Sequence, residues 1–516
     1  MKFRSFFASL TASAIILSGC ANASTETSNK LVILHTNDTH SQLEPGADGL
    51  GGLMRRKAII DSVRGAEKNV LLVDAGDAVQ GTLYFYLYGG RVEQEMMNRL
   101  GVDARILGNH EFDNGMDSLA MMMSLAKSDL ISTNYELENS ALAGMFKPYI
   151  IKEYSGKRIG IMGINLDPVG MITKGNYDGL EFLPIIDAAN ETARKLRDEE
   201  KVDAVIALSH IGYNPKGLIG DSILATNSRG IDIIIGGHSH DTIDPETEQG
   251  ARRSRLKNLD GQEVLVVQTG KSGRRIGKIE IDLDSLGLGA KPKYELIKVD
   301  NRYDNYNDST LAAALAPYTA GVDSLMKEWI GSAPHDLEAG GIEMTNYFSD
   351  FILDAGKALA PGVDFAIANK GGLRTDIHKG KFSNGQIINL VPFKNYVTVV
   401  DVKGSDLLDV FNVMAATDGN GISANVHAWY LHKGETPRAT RVVVNGKEID
   451  PYKTYRVATI DYLAKGGDYM SGLTRGNIVA QGTEPVYSVF LDYLTTGKGA
   501  RKPFGGDTQA RWTSID

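Results

Sequence analysis

The sequence predicts an α/β protein of two domains, and three observations carry the prediction. The chain has 516 residues, whereas single hydrophobic cores stop growing near about 250–300. Runs of four or more apolar residues, suited to strands buried on both faces, alternate with helical patterns. Several of these runs end in His, Asp or Asn, and in α/β sheets ligands gather at the carboxyl ends of the strands.

In chain order, the first segment concerns targeting rather than fold. "MKFR" is basic, and "FFASLTASAIIL" is apolar but short for a bilayer span. "LSGC" follows, and Cys20 is the only cysteine. Small residues before a lone Cys resemble the lipobox of a bacterial lipoprotein. Residues 1–20 are then a signal peptide and Cys20 carries the lipid, with cleavage after "ANA" (21–23) as the alternative. The expectation is an exported chain. It is lipid-anchored to a bacterial membrane at the periplasmic or cell-surface face, or else soluble in the periplasm or medium. A single cysteine allows no internal disulfide, and residues 21–29 read as a polar tether.

The first domain is read over 30–303. Its strands are "KLVILHTND", "NVLLVDAGD" (69–77), "ARILGNHEFD" (104–113), "RIGIMGIN" (158–165), "VDAVIALSHIG" (202–212), "IDIIIGGHSH" (231–240), "EVLVVQTG" (263–270) and "RIGKIEIDL" (275–283). Helical patterns over 91–100, 116–127 and 186–200 lie between them. "NRYDNYNDS" (301–309) is polar and pattern-free, and Ser309 can cap a helix interrupted at Pro317. Residues 304–328 are the expected interdomain connector. Residues 329–516 mix helices (345–359, 404–415) with strands (363–368, 396–402, 440–444, 455–460) and form a second α/β domain. The net charge of −9, with dispersed Lys and Arg, excludes a nucleic-acid polymer as partner. No apolar stretch after the first segment reaches transmembrane length, so a membrane is met only through the anchor.

Chemistry concentrates in "LGNHEFDNG" (107–115) and four similar strand ends: "HTNDTH", "DAGD", "LSHIG" and "GGHSH". Besides His35, five of the ten histidines fall there. The candidate metal ligands are Asp38, His40, Asp77, Asn109, His210, His238 and His240. Seven exceed the four that one zinc takes; they suit two ions about 3.5–4 Å apart, with Asp77 as the shared carboxylate. Imidazole and carboxylate donors favour Zn, Mn, Co or Fe, with Mg at an oxygen-rich position. "DTH" and "HSH" separate their ligands by one residue, and on an extended strand such a pair shares a face. His35, inside its strand, reads as a core histidine.

"DTH", "GDAVQGT", "GNHEFD", "LSHIG" and "GGHSH" together resemble the calcineurin-type metallophosphoesterase superfamily. With "NKGGLR" (369–374), "VPFKN" (391–395) and "LAKGGD" (463–468), the chain is similar to the two-domain 5′-nucleotidase family over nearly its whole mature length. The resemblance implies an αββα sandwich followed by a nucleotide-binding α/β domain, acting as a monomer on a nucleotide substrate. It implies one divalent ion on Asp38, His40, Asp77 and His240 and a second on Asp77, Asn109, His210 and His238. His110 and Asp113 match the catalytic pair, with His110 acting on the phosphoryl group and Asp113 orienting it. Glu111 is expected to hold the loop. Phe393 and Tyr462 match two aromatic positions that sandwich the base, and Arg374 matches a substrate arginine. Asn369, Gly372, Asn395 and Asp468 complete the implied substrate set.

The implied activity is metal-dependent release of phosphate from 5′-nucleotides by in-line attack of a water activated between two ions. The alternatives are a nucleotide-sugar pyrophosphatase and a 2′,3′-cyclic nucleotide phosphodiesterase/3′-nucleotidase on the same scaffold. A binding protein without activity fits poorly with an intact ligand set. Some relatives carry extra arginines early in the second domain, where this chain has "EAGGIEMTNYFSDF".

Overall fold

The computed structural model describes residues 29–215, 217–286, 291–417, 419–431, 437–501 and 503–516. Cys20, with the signal segment and most of the tether, lies outside the described residues. Two sheets face each other in the first half of the chain. One runs Lys293–Lys298, Arg275–Asp282, Lys30–Thr36, Asn69–Asp74, Ala104–Arg105, Asp129–Leu130. The other runs Thr242–Ile243, Glu263–Thr269, Ile233–Ile235, Ala204–His210, Lys157–Asn165, Tyr149–Tyr154.

Alternation along each strand explains the layering. Leu31, Ile33, Leu71 and Val73 face Ile159, Ile161, Ile206 and Leu208 between the sheets. Their neighbours Val32, Leu34 and Leu72 turn outward onto Ile59, Ile60, Val92 and Met96 of helices Leu53–Ala66 and Arg91–Leu100. On the opposite outer face, Met162, Val205 and Ile234 meet Ala189, Ala193 and Leu196 of helix Ile185–Asp198. Strands apolar on both faces therefore sit between helical layers, and the result is the αββα sandwich. The central strands of each sheet are parallel, so their carboxyl ends open on one edge.

The second half has its own core. A five-stranded sheet (Gly421–Ile422, Phe365–Ala368, Thr454–Ile460, Tyr396–Lys403, Asn477–Pro485) and a four-stranded one (Lys447–Glu448, Arg438–Val444, Val426–Leu431, Trp512–Ser514) pack with helices Ile342–Leu359 and Gly404–Ala416.

Three sequence expectations need correction. The run 104–113 pairs only over Ala104–Arg105, because its neighbour Asp129–Leu130 is equally short; beyond it the chain becomes a loop and a one-turn 3₁₀ helix, His110–Phe112. Helix Ser309–Met326 is capped by Asp308, whose carboxylate accepts from Thr310 N and Leu311 N, rather than by Ser309. Pro317 sits inside that helix without ending it: the helix lies along the first domain through Leu311 and Val322, and Tyr84 and Tyr88 hydrogen-bond it at Thr319 and Tyr318, contacts that offset one lost rung.

Candidate metal and nucleotide site

The strand ends bring the predicted ligands into two groups. Donor atoms of Asp38, His40 and His240 lie within 4.8 Å of one another, as do those of Asp77, His210 and His238. In the first group His40 Nε2 and His240 Nε2 are 3.0 Å apart, and they stand 3.9 and 3.5 Å from Asp38 Oδ1. In the second, His210 Nε2 is 3.1 Å from Asp77 Oδ2, and Asn109 Oδ1 meets His238 Nδ1 at 2.9 Å. Ligands about 2.0–2.2 Å from a common ion stand at such separations.

The donor chemistry fits a metal. Burial alone would lower wholly buried His210, but Asp77, whose Oδ2 lies 3.1 Å from its Nε2, outweighs that and raises it to about 10, the pairing of a carboxylate and an imidazole that a shared cation would replace. Burial holds His40 well below the usual imidazole range, His238 at about 3 and His240 at about 2, so each presents a lone pair. Burial also drives Asp38 up to about 7, although nearby His210 opposes it; a cation would reverse that. His210 is set against Ala75 O through Nδ1 at 2.7 Å, and His40 against Val79 O at 3.3 Å. These carbonyls fix which nitrogen faces the centre.

The backbone contradicts the extended-strand reading of "DTH" and "HSH". Asp38 (φ 50), His40 (φ 48), Asp77 (φ 54), His238 (φ 72) and His240 (φ 56) are all left-handed. The two histidines of "HSH" consequently serve different groups. Left-handed backbone at non-glycine residues costs of order 1–3 kcal/mol each and clusters at functional sites. Here it is held by backbone bonds from Asp38 N to Gly76 O (2.9 Å) and from His40 N to Asp77 O (3.0 Å). The Asp38 carboxylate also accepts His238 N at 3.0–3.1 Å. Gly108 is required by close approach: a Cβ there would stand 2.1 Å from Asp77 Oδ1, and its φ is not positive.

Two supporting residues carried no ligand signal in the sequence. Asn37 donates to Asp38 Oδ2 (2.6 Å) and Gly270 O (2.8 Å) and accepts from Thr269 N (2.9 Å). Glu111 accepts from the backbone N–H of Asp77 (3.0 Å), Ala78 (2.9 Å) and Gly108 (2.6 Å), and from Arg105 Nη2 (3.2 Å). It clamps the loop that carries Asp77 to the loop that carries Asn109.

His110 lies beside the two groups. Its N–H donates to Asp77 Oδ1 (2.9 Å), and Nδ1 meets Asp113 Oδ2 at 3.0 Å. Burial opposes its protonation, but Asp113 and Asp77 outweigh that and raise it. The ring packs on Phe393 of the second domain, centroids 5.6 Å apart.

A cavity of about 440 Å³ runs from Asp77, Asn109, His238 and His240 past His110 and Asp113. It continues to Asn369, Gly372, Arg374, Phe393, Asn395, Tyr462 and Asp468. Asp38, His40 and His210 stand behind its wall, buried. Arg374 hangs 5.7 Å from the Phe393 centroid; burial lowers it, against the pull of Asp77, Asp113 and Asp38. Tyr462 Oη donates to Asp468 Oδ1, and Asn369 Nδ2 to Asp468 Oδ2, both at 2.9 Å.

Two family models match: Calcineurin-like phosphoesterase over residues 31–242 and 5′-nucleotidase, C-terminal domain over 330–475. The chain is 26% identical to the trifunctional nucleotide phosphoesterase protein YfkN of Bacillus subtilis over 90% of its own length but only 34% of that protein's. It is 27% identical to a 5′-nucleotidase of Vibrio cholerae, covering 91% of this chain and 92% of that one. The crystal structure of a 5′-nucleotidase precursor from Thermus thermophilus superposes with a TM-score of 0.82 at 29% identity, over 94% of this chain and 99% of that chain.

Proposed function

We propose that this member of the two-domain 5′-nucleotidase family of hydrolases is metal-dependent and that its substrates are nucleoside 5′-monophosphates, cleaved to nucleoside and phosphate. The cavity carries this reading. One end is walled by metal-capable side chains, and the other holds Phe393 and Tyr462 with a polar group at Asp468, which is the layout a phosphate ester on a flat base requires.

Asp38, His40 and His240 would hold one divalent ion, and Asn109, His210 and His238 the other, with Asp77 shared; Zn, Mn, Co and Mg suit these donors. Such ions supply an activated water and neutralise charge on the phosphoryl oxygens. The chain's own groups do the rest. His110, whose protonated form Asp113 and Asp77 favour against burial, faces the phosphoryl group and supplies a proton to the departing O5′. Arg374 forks onto phosphate oxygens, Phe393 and Tyr462 stack on the base, and Asp468 with Asn369 meets the ribose and base edges.

Among the described residues, the cations lining the cavity are Arg374, Lys394 and Lys465, and the early second domain adds none, which favours a monophosphate over a longer phosphate chain. Glu343 is turned to His335 Nε2 and Gly506 N, both at 2.8 Å, and does not face the cleft. Ser349 is buried and donates to Thr345 O, so an arginine there would disrupt the core rather than extend the site.

The test is a panel of AMP, ATP, UDP-glucose and 2′,3′-cyclic AMP, with and without a chelator. AMP should give the highest kcat/KM and the chelator should abolish it. Faster UDP-glucose or cyclic nucleotide turnover would replace this reading with the corresponding alternative. Export with lipid on Cys20 is part of the same proposal, and the mass of the mature N-terminal peptide separates it from cleavage after Ala23.

A further inference from the structure

A loop joins strand Lys157–Asn165 to helix Ile185–Asp198. It touches the site at two places. Asn176 Nδ2 donates to Phe112 O at 3.0 Å and to Asp113 O at 3.1 Å. These carbonyls leave the carboxyl end of the one-turn helix His110–Phe112; Phe112 O also accepts from Gly115 N at 2.9 Å, and Asn176 is the side chain that bridges the two. The Asp113 side chain then meets His110 Nδ1 at 3.0 Å. At the other place, Gly170 O accepts from Tyr462 Oη at 3.4 Å, and the Tyr469 ring fills the space where a Gly170 Cβ would stand, 2.6 Å away. Met171, Thr173 and Asn176 line the cavity itself.

We propose that Asn176 is a positioning residue for phosphoryl transfer. It acts through Asp113: by fixing the two carbonyls it sets the direction from which the Asp113 carboxylate holds His110, and so where the imidazole points its proton. A plain capping role would leave that direction to the helix alone. Yet the helix is a single turn, and Asp113, its C-cap residue, makes only one backbone bond within it, N to His110 O at 3.2 Å. The second anchor, at Tyr462 and Tyr469, ties the same loop to the nucleotide-binding wall. Small displacements of a catalytic group cost rate steeply. The proposal rests on reading His110 as the group that serves the leaving oxygen.

Leaving-group dependence separates positioning from mere structure. AMP expels a poor leaving group that needs a proton; p-nitrophenyl phosphate expels a good one that does not. In Asn176→Ala, kcat for AMP should fall about tenfold or more, with KM within about twofold, while kcat for p-nitrophenyl phosphate changes much less and the bound metal is unchanged. Asn176→Asp keeps the volume, removes both donors and carries the test if the alanine variant does not fold. His110→Ala is run alongside. If it shows the selective loss and the Asn176 variants do not, the positioning role is overturned and the reading of His110 stands. If His110→Ala loses both substrates equally, that reading fails and the proposal fails with it. Equal losses on the two esters, or loss of metal, in the Asn176 variants would also overturn it.

Discussion

Removing the Glu111 carboxylate should loosen the metal loops from behind. Glu111 accepts three backbone N–H groups, at 3.0, 2.9 and 2.6 Å, together with Arg105 Nη2 at 3.2 Å. Both side chains are buried, at 2% and 1% exposure. Glu111→Ala leaves those donors without an acceptor and Arg105 without its counter-charge. Arg105 keeps only Gln94 Oε1 (2.9 Å) and Met97 Sδ (3.1 Å). Each orphaned buried donor costs about 1–3 kcal/mol, but the four are not additive. Breaking a buried pair by removing one partner costs about 3–5 kcal/mol, and that range bounds the effect. At about 2–4 °C per kcal/mol for a domain of this size, the first domain should melt about 6–20 °C lower. Glu111→Gln, which retains one acceptor oxygen, should fall between the variant and the wild type. Differential scanning calorimetry with metal analysis on the same samples reads both effects. Unchanged melting and full metal content in Glu111→Ala would refute the reasoning, because the carboxylate would then not be holding the Asp77 loop.

Two further perturbations follow. His110→Ala should lower kcat for AMP by about 10²–10⁴ with metal content intact, checked by steady-state kinetics and elemental analysis; loss of an ion would make His110 a ligand instead. Glu93 is buried with neither carboxyl oxygen hydrogen-bonded, and burial pushes it from 4.5 to about 7. A raised carboxyl favours the fold below its unfolded value and loses that advantage as pH climbs through about 7, costing about 3 kcal/mol above it. Glu93→Gln should therefore match the wild type at pH 5 and exceed it at pH 8 in urea-denaturation midpoint; parallel midpoint curves would refute this.

The fold class was legible because strands buried on both faces read as short apolar runs, "LVIL", "VLLV" and "VIAL", each too short for a helix and each ending in polar residues. The convergence of Asp38, His40, Asp77, His210, His238 and His240 followed from the rule that parallel strands share one ligand edge. What stayed hidden depends on backbone geometry. Nothing in "DTH" or "HSH" encodes a left-handed turn, so the extended-strand reading missed the backbone that delivers His238 and His240 to different groups, a division that the family resemblance already implied. Asn37 and Asn176 look like ordinary loop residues, and their work is fixed by carbonyls and amides far along the chain. Ser309 and Asp308 are equally good cap residues by type, so sequence could not choose between them; the helix begins at Ser309, and the Asp308 carboxylate takes Thr310 N and Leu311 N.

The central claim is that one cavity joins a metal-dependent phosphatase centre to a base clamp. The most direct test compares kcat/KM for AMP with that for ribose 5-phosphate in the metal-loaded protein. Stacking on Phe393 and Tyr462 is worth about 1–3 kcal/mol per base, so AMP should be preferred by about 5–150-fold, and Phe393→Ala should bring the ratio towards one. Equal kcat/KM for the two esters in the wild type would contradict the claim.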